Sequence, residues 1–394
     1  MKILMLIPRV PYPLDKGDKL RAFHHIKSLS KNHEIILCAL NDSKLHIKAI
    51  VSLKPFCKSI HFINISFLRK SFNILLAFFS GKPLQVGYFY NKKAQKEINK
   101  IIKETKPDHI FCQLIRVTEY VKNFDIPKTL DYQDVFSKGI ERRIQSAYFL
   151  KKQIFKLEYK RLLKYENEIF SYFDNKIIIS KPDRDFIPHP EKEKIHIIPN
   201  GVDYDYFKAV EHKKEYDILF TGNMKYPPNV NSVEYLVKEI LPEVYKIKPN
   251  VNLLIAGANP HLRVKSLRSK KVHVSGWVKD MRECYEKSRI FIAPMQIGTG
   301  LQNKLLEAMA MKLPCITSQL ANKALEAKNN VEILIGNNPS EYANHIISLL
   351  ENEEFSNNIA AKGDEFVHEN FNWETATKKL EEIIIQTNPT PSQS

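Results

Sequence analysis

Residues 289–318 read RIFIAPMQIGTGLQNKLLEAMAMKLPCITS. The stretch opens with an apolar run of strand length that ends at a proline, and it closes with a second short run, PCITS. Between the two runs, apolar residues recur at helical spacing over 301–312. A strand, a crossover helix and another strand in this order predict a parallel sheet covered by helices, because parallel neighbours need a long connection.

The same alternation continues through the rest of the chain. Strand-length runs lie at 2–8, 34–40, 108–114, 128–134 and 175–180 in the first half, and at 216–222, 251–257, 271–277, 289–294, 314–318 and 332–336 in the second. The turn residues at 199–201 interrupt the pattern. We therefore expect an α/β protein with two Rossmann-like, doubly wound domains. With the junction at these turn residues, the first domain comprises residues 1–198 and the second comprises residues 199–370. A last helix is predicted at 371–386 and a disordered tail at 387–394.

The 394 residues carry a net charge of +16, and its distribution is uneven. Residues 1–200 hold 37 Lys and Arg against 20 Asp and Glu, whereas residues 201–394 hold 23 against 24. A basic first half favours an anionic partner, namely membrane headgroups, nucleic acid or a phosphorylated substrate, although a plain solvated surface is the alternative.

The five cysteines are scattered singly, which argues against a disulfide framework or structural zinc and fits a reducing cytoplasm. No apolar run reaches the length of a membrane span. The opening run MKILMLIP suits a buried strand better than a signal peptide, because its apolar part is short and ends at proline.

The helix predicted after Gly300 carries an unusual charge in its first turn. Gly298 and Gly300 permit a tight backbone approach, and Thr299 is a candidate N-cap. The next three N–H groups, of Leu301, Gln302 and Asn303, form an anion site at the helix end.

Lys304 is unfavourable there for stability alone, because the first turn of a helix prefers acidic residues. A bound phosphate would account for it, and Glu307, three residues on, is placed to accept hydrogen bonds from ribose hydroxyls. The alternative is an ordinary ion pair between the two side chains.

Four further residues follow strand-length runs of the second half: Gly222, Gly257, Gly276 and Pro294. Ligands of open α/β sheets bind beyond the carboxyl ends of the strands, so we expect these positions to border one crevice.

These stretches resemble a known family. FIAPMQIGTGLQNKLLEAMAMKLPCITS resembles the donor-site signature of family 4 glycosyltransferases of the GT-B fold, and VHVSGWVKDMRECYEKSRI, DILFTGNMKYPPNVNSVEYL, IIPNGVDYDYF and FNWE are similar to other stretches of that family. In the first half, PYPLDKGDKLRAFHHIKSLSKNHEI and LDYQDVFS look like the sugar transferases associated with PEP-CTERM/exosortase and exopolysaccharide systems. The resemblance covers nearly the whole chain.

The resemblance implies a retaining, metal-independent transfer from a nucleotide-sugar donor, with no further cofactor. The donor would bind the second domain and a glycan or lipid-linked acceptor the first, across a central cleft, with the last helix crossing back to the first domain. The implied location is cytoplasmic, at the inner face of the membrane.

Two departures from the family pattern concern the donor site. Glu307 matches the second of two glutamates, but the first falls at Thr299, so the backbone of 298–301 would replace it. The family's Arg and Lys phosphate clamp falls at Asn223 and Pro228, which leaves Lys304 and Lys225 as the candidate cations.

The loop of Gly276, Trp277 and Val278 matches the stretch that holds the nucleotide base. Trp277 could stack on the base or be an ordinary buried aromatic.

In the first domain, a predicted helix begins at Gly17 and Asp18, and its N-terminus is a second candidate anion site. Arg21 and His24 lie on the following turns of this helix. His24 is a candidate base, although a histidine satisfied within the fold is the commoner case. Asp131 and Asp134 match positions near the reacting carbon, with Asp134 favoured, and turn or N-cap use is the alternative.

The triplets DRD at 183–185 and DYD at 203–205 are not interpreted as metal sites, because so few carboxylates rarely hold a cation.

Residues 66–83 combine an apolar group with basic neighbours, and the stretch is too short to span a membrane. It could lie in the interface of an anionic membrane, which would suit a lipid-linked acceptor, or form a core helix. The residues are Phe72, Ile74, Leu75, Leu76, Phe78 and Phe79 beside Arg69, Lys70 and Lys82.

Two other functions compete with sugar transfer. A nucleotide-sugar epimerase would use the same fold without an acceptor. A nucleic-acid-binding protein would use the basic half, but the basic residues are dispersed and no nucleic-acid motif occurs, so we expect no nucleic-acid partner.

Overall fold

The computed structural model describes residues 1–65, 77–145, 148–208, 212–298 and 300–387. Thr299, most of the predicted interfacial stretch (Arg69, Lys70, Phe72, Ile74, Leu75 and Leu76) and the predicted tail from residue 388 therefore lie outside the described residues. The chain forms two compact units. One comprises Met1–Pro199 together with the segment that begins at Trp373, and the other is Asn200–Asn372.

The first unit contains a parallel sheet in the order β3-β2-β1-β4-β5-β6-β7. Its strands are β1 (Lys2–Ile7), β2 (Glu34–Asn41), β3 (Ser59–Asn64), β4 (His109–Gln113), β5 (Lys128–Gln133), β6 (Asn175–Ile178) and β7 (His196–Ile197). Its described α-helices are α1 (Gly17–Leu29), α2 (Ala49–Leu53), α3 (Leu84–Phe89), α4 (Lys92–Thr105), α5 (Phe136–Gln145), α6 (Phe149–Ile169), α7 (Lys181–Asp185) and, from the end of the chain, α16 (Trp373–Thr387).

The second unit repeats this architecture with the order β10-β9-β8-β11-β12-β13. The strands are β8 (Tyr216–Thr221), β9 (Leu253–Ala256), β10 (Val272–Gly276), β11 (Ser288–Ala293), β12 (Cys315–Ser318) and β13 (Leu334–Gly336). The described α-helices are α8 (Pro227–Tyr235), α9 (Leu241–Tyr245), α10 (Leu262–Lys265), α11 (Arg282–Glu286), α12 (Asn303–Ala310), α13 (Gln319–Leu325), α14 (Pro339–Glu351) and α15 (Glu353–Asn370).

The strands are continuous apolar runs because helices cover both faces of each sheet. Residues 3–7 of β1 are fully buried, and so are the residues of β11 from Ile290 to Ala293. In each unit the strand order reverses beside the first strand, between β1 and β4 and between β8 and β11. This order is that of the doubly wound dinucleotide-binding fold, and the predicted fold class is confirmed.

Two strand-end glycines of the second unit allow neighbouring backbones to touch. A Cβ atom on Gly257, where φ is +141°, would lie 1.8 Å from the carbonyl oxygen of Gly222. Gly222 itself has φ +149°, and a Cβ there would lie 2.6 Å from Nδ2 of Asn229. No other residue type fits this contact, so glycine at these positions serves the close packing of the loops after β8 and β9.

The last helix, α16, packs on α1 within the first unit. The ring of His24 stacks on Trp373, with centroids 4.7 Å apart and planes 4° from parallel. Nδ1 of His25 lies 3.0 Å from Oγ1 of Thr377, and burial holds the pKa of His25 well below its usual value. His24 is 4% exposed. The prediction of His24 as a catalytic base is therefore wrong, because its ring serves the packing of α16.

Arg21 and Asp131 form an ion pair with no exposed side-chain surface. Nε of Arg21 donates to Oδ2 of Asp131 over 2.6 Å, and Nη1 donates to the carbonyl oxygen of Ile198 over 2.9 Å. The pair ties α1, β5 and the end of the first unit's main segment together. The predicted contact of Arg21 with a ligand and the predicted catalytic role of Asp131 are both wrong, because the two charges compensate each other and neither side chain is exposed.

The exchange Asp131→Asn tests this structural role. It leaves the Arg21 guanidinium buried without a counter-charge, and we expect a loss of about 3–5 kcal/mol in the free energy of unfolding, measured by urea denaturation. Asp15→Asn is the control, because Asp15 pairs with Lys19 at the surface and is 54% exposed, so its loss costs less than about 1 kcal/mol. Unchanged stability in Asp131→Asn would contradict the assignment.

Candidate functional site

The candidate site lies where the strand order of the second unit reverses. Strand β8 ends at Thr221 and its neighbour β11 ends at Ala293. The connections that follow leave toward opposite faces of the sheet, so the loops diverge and open a crevice at the carboxyl ends of the strands. The predicted donor residues of 222–225 and 298–307 belong to these two connections.

Helix α12 begins at Asn303, two residues later than the sequence predicts, and Gln302 is its N-cap residue. No side chain caps the helix; Nε2 of Gln302 instead donates to the carbonyl oxygen of Gly300 over 2.8 Å. Oδ1 of Asn303 accepts from Nδ2 of Asn200 over 3.1 Å. Gly298 has φ +104° and Leu301 packs against the core, so the loop reaches the helix in a defined path without supplying a cap. The first-turn N–H groups are thereby left for a ligand or solvent.

Lys304 lies among uncharged partners. Its ammonium group lies 4.7 Å from the centroid of the Phe220 ring, donates a hydrogen bond to Oδ1 of Asn229 and lies 3.9 Å from Sδ of Met295. Within the described chain no carboxylate comes within 4.0 Å of it, which excludes the ordinary ion pair with Glu307. Burial lowers the pKa of Lys304 to about 7, against a smaller opposite effect of Glu307. A partly buried cation with neutral partners is a favourable seat for an anion.

Glu307 is held by a short relay of hydroxyl groups. Its Oε2 accepts a hydrogen bond from the hydroxyl of Tyr285 over 2.8 Å, and that hydroxyl lies 3.0 Å from Oγ1 of Thr221. Tyr285 is fully buried, so it fixes the carboxyl group against the end of β8. Burial raises the pKa of Glu307 to about 7. No described residue hydrogen-bonds to the other carboxyl oxygen, which remains available to hydroxyl groups of a ligand.

Sequence reasoning missed Phe220, Asn229 and Tyr285, which place the two charged groups. Asn229 could have been found, because it directly follows Pro228, where the family pattern puts a clamp residue. Phe220 and Tyr285 carry no such signal, since each looks like an ordinary core aromatic.

The loop after β10 presents an aromatic ring to solvent. Gly276 turns the chain at φ +77°, Val278 packs on the core and Trp277 is 72% exposed. The alternative of a buried Trp277 is thus excluded, and its ring is available for stacking.

A second aromatic contact stabilises this region. The guanidinium of Arg282 lies 4.2 Å from the centroid of the Tyr206 ring, and its Nε donates to Asp280 over 2.9 Å. The Tyr206 hydroxyl donates to the same carboxylate over 3.2 Å.

Asn223 and Lys225 lie on the exposed turn after Gly222. Oδ1 of Asn223 accepts from the backbone N–H of Lys225 over 3.0 Å, and the Lys225 ammonium has no partner in the described parts of the chain. The structure therefore brings Lys304 and Glu307 into one site and leaves Lys225 free at its border.

In the first unit, Gly17 and Asp18 lie at the corresponding reversal of strand order. Asp18 pairs with Arg9 over 2.6 Å, and Nε2 of Gln113 donates to the carbonyl oxygen of Asp18 over 2.9 Å. Asp134 is exposed just beyond β5, in contrast to the buried Asp131. Asp134 thus stays a prediction for the reacting centre.

The described residues contain no group of three or more His, Cys, Asp or Glu side chains placed to hold a metal ion. They also contain no helix with both the length and the apolar character of a membrane span.

Comparisons with known proteins find a match to a family model in the second unit and similar folds along the whole chain. Residues 215–352 match the family described as Glycosyl transferases group 1. A relative from Klebsiella pneumoniae, described as an uncharacterized 44.6 kDa protein in the cps region, is 24% identical over 418 residues, which cover 98% of this chain and 100% of the relative.

Two solved structures are similar along their whole length. Sucrose-phosphate synthase from Thermosynechococcus elongatus has a TM-score of 0.69 at 15% identity, with 98% of this chain and 99% of that one covered. HepE from Anabaena, in complex with UDP-glucose, has a TM-score of 0.67 at 13% identity, with 98% and 100% covered. Together with the two parallel sheets, they show that the chain has the two-domain GT-B fold, and residues 215–352 of its second unit match the Glycosyl transferases group 1 model.

Proposed function

We propose that the protein is a retaining, metal-independent glycosyltransferase that moves a sugar from a nucleotide-sugar donor to a glycan or lipid-linked acceptor in cell-surface polysaccharide synthesis. The observation that carries the proposal is Lys304, a cation with uncharged partners at the switch point of the family-matched domain, with Glu307 one turn along. The HepE structure contains UDP-glucose, which supports a nucleotide-sugar donor. The relative in the cps region supports the polysaccharide role, and an association with PEP-CTERM/exosortase systems stays a prediction.

The donor's diphosphate would lie against Lys304 and the uncapped start of α12. There the ammonium and the first-turn N–H groups offset the charge that develops on the leaving diphosphate as its bond to the sugar breaks. The free oxygen of Glu307 would accept hydrogen bonds from the ribose hydroxyls. The exposed ring of Trp277 would stack on the base. The acceptor hydroxyl forms the new bond to the sugar and releases its proton, for which Asp134 is the exposed candidate.

Product analysis with a panel of nucleotide sugars tests the reaction class. We expect free nucleoside diphosphate to appear only when an acceptor glycan is present, whereas an epimerase would alter the sugar without releasing the nucleotide. Lys304→Ala removes a group that stabilises the leaving diphosphate, so kcat/KM for the donor should fall about 100-fold or more. Lys312→Ala is the matched control, because Lys312 is 63% exposed and pairs only weakly with Asp364 at 3.8 Å. Wild-type donor kinetics in Lys304→Ala would contradict the assignment.

The pH dependence of UDP binding is a second prediction. Lys304 has a pKa near 7 in the free protein and must be protonated opposite the diphosphate, so binding requires proton uptake and weakens as the pH rises above about 7. Glu307 has its pKa raised to about 7 and binds hydroxyl groups best when ionised, so binding also weakens below about 7. Calorimetric titration with UDP should therefore give the lowest Kd near neutral pH.

Two variants separate the limbs of this profile. Lys304→Arg keeps its charge at all these pH values and should flatten the alkaline limb, since the guanidinium does not titrate there. Glu307→Gln should flatten the acidic limb beyond what the titration of UDP itself causes. An alkaline limb that persists in Lys304→Arg would show that another group is responsible.

We also infer that the first unit rests on the cytoplasmic face of an anionic membrane. The described end of the predicted interfacial stretch is exposed, with Phe78 at 43% and Phe79 at 78%. Arg161 on α6 fixes it by donating to the carbonyl oxygen of Phe78 over 2.7 Å. The start of α6 adds Tyr148 and Phe149, which are 86% and 76% exposed. Lysines follow on that helix at 151, 152 and 156, which places basic groups beside apolar ones as an anionic interface requires.

Vesicle flotation tests this surface. The protein should float with vesicles that contain phosphatidylglycerol and remain behind with pure phosphatidylcholine, and added salt should reduce binding. The triple variant Phe149→Ser, Lys151→Ser, Lys152→Ser should bind at least about 30-fold more weakly, since each lysine contributes about 1 kcal/mol. Ile247→Ser, at a site in the second unit that is 60% exposed, is the control. Unchanged flotation of the triple variant would rule out this face.

A further inference from the structure

Two adjoining pockets lie at the carboxyl ends of β1, β2 and β3 in the first unit. The larger is a groove of about 600 Å³ beyond β2, β3 and the start of α4. The smaller has about 70 Å³ and lies between the loops that follow β1 and β2. Both are lined by Asn41, Asp42 and Ser43, so one ligand can extend through the two. None of the site residues predicted from the sequence lines either pocket.

Two asparagine side chains in the groove form hydrogen bonds with other described residues through the amide oxygen but not through the amide nitrogen. Asn91 is 8% exposed; its Oδ1 caps α4 by accepting from the N–H of Lys93 over 2.7 Å, and its Nδ2 has no partner among the described residues. Oδ1 of Asn64 accepts from Nδ2 of Asn41 over 2.8 Å, and its own Nδ2 is likewise unpartnered within the described chain. The Nδ2 group of the buried Asn91 is a donor available to a ligand, because a buried amide is otherwise hydrogen-bonded at both ends. Nδ2 of Asn64 is a solvent-exposed donor that lines the same groove.

The rest of the groove supplies hydrogen-bond acceptors and an apolar surface. Asp42 and Glu97 are acceptors on its wall, and Phe62, Ile63 and Ile65 form an apolar floor. The volume is within the range of small-molecule sites. Donors and acceptors interspersed over an apolar surface match a saccharide, whose ring carries hydroxyl groups at its edge and C–H groups on its face.

The smaller pocket is basic. Its lining includes the basic residues Arg9, Lys16, Lys19, Lys44 and His46 and one carboxylate, Asp42, which accepts a hydrogen bond from the Tyr88 hydroxyl over 3.3 Å. Two of these cations are compensated, because Arg9 pairs with Asp18 over 2.6 Å and Lys19 pairs with Asp15 over 2.8 Å.

Lys16 and Lys44 form no ion pair with any residue that the structure describes, and both are exposed. Two uncompensated ammonium groups match the charge of a phosphoryl group, whereas a single carboxylate would leave one of them unmatched.

We propose that the groove and the basic pocket together bind a saccharide that carries a phosphoryl group, and that this compound is the acceptor. The identification as acceptor rests on the proposed function. The groove holds the sugar through Asn64, Asn91 and Glu97, and Lys16 and Lys44 hold the phosphoryl group. The same chemistry occurs in a free sugar phosphate and in a sugar linked to a lipid through a diphosphate, so the test includes both.

Calorimetry on the full chain, with the donor site first saturated by UDP, isolates this site. Hexose 1-phosphate should bind at least tenfold more tightly than the free hexose, and UDP should not displace it. Lys16→Ala, Lys44→Ala should remove this preference without changing the Kd of UDP, because each ammonium contributes a charge-assisted hydrogen bond. Lys48→Ala, Lys96→Ala is the matched control, since both lysines are exposed nearby and line neither pocket. In the groove, Glu97→Gln should weaken binding of the sugar phosphate while leaving inorganic phosphate unaffected.

A prenyl diphosphate hexose in detergent micelles forms the second arm. Tighter binding than hexose 1-phosphate, again lost in the double variant, would support the lipid-linked source; equal or weaker binding would support the free sugar phosphate. Competition by UDP, or an unchanged preference in Lys16→Ala, Lys44→Ala, would overturn the assignment of the pocket. Equal affinity for a hexuronic acid would overturn the phosphoryl assignment. Each of these results leaves the proposed function in place, whereas a wild-type protein that binds no nucleoside diphosphate, UDP included, would contradict that function itself.

Discussion

The structure depends on one constraint: in each parallel sheet, successive strands are added first on one side of a central strand and then on the other. Strands β8 and β11 pair in parallel, and their connections leave toward opposite faces because the strand order reverses between them. The crevice that results is where a loop can approach a ligand without crossing a covering helix. Gly222 and Gly257 bring two of its loops into backbone contact, and this contact leaves no room for side chains at the base of the crevice. The strand order therefore determines where the crevice lies, and Lys304 and Glu307 lie at that crevice.

Two cations illustrate how buried charge serves stability in one unit and binding in the other. Arg21 is fully buried, and a carboxylate and backbone carbonyl groups satisfy it, so it has nothing left to offer a ligand. Lys304 has an aromatic face and an amide oxygen as partners, and its lowered pKa records the cost of holding a charge there. An anion that arrives restores the missing counter-charge. A cation that the fold compensates incompletely is therefore more informative about function than one that is merely buried.

The sequence predicted what depends on local order and failed where partners are distant along the chain. The alternation of strands and helices is local, and the spacing of Lys304 and Glu307 on one helix follows from three residues of separation. By contrast, Arg21 meets Asp131 across 110 residues, and His25 meets Thr377 across 352. Glu307 and Tyr285 are only 22 residues apart along the chain, but their hydrogen bond depends on the fold, which places the hydroxyl of a core aromatic residue beside the carboxylate. The prediction for Asp131 fails for a further reason, because strand β5 continues past it to Gln133 and the Asp131 side chain is buried.

The basic first half shows why net charge identifies a kind of partner but not a surface. An excess of cations over 200 residues is equally compatible with nucleic acid, a membrane or a phosphorylated substrate. Compensation separates these possibilities, because a paired cation such as Arg9 contributes little field, whereas Lys16 and Lys44 act on whatever lies between them. The lysines at the start of α6 lie instead beside exposed aromatic rings, the combination that an anionic membrane interface takes. Uncompensated cations that line a pocket and cations beside exposed rings thus suit different anions.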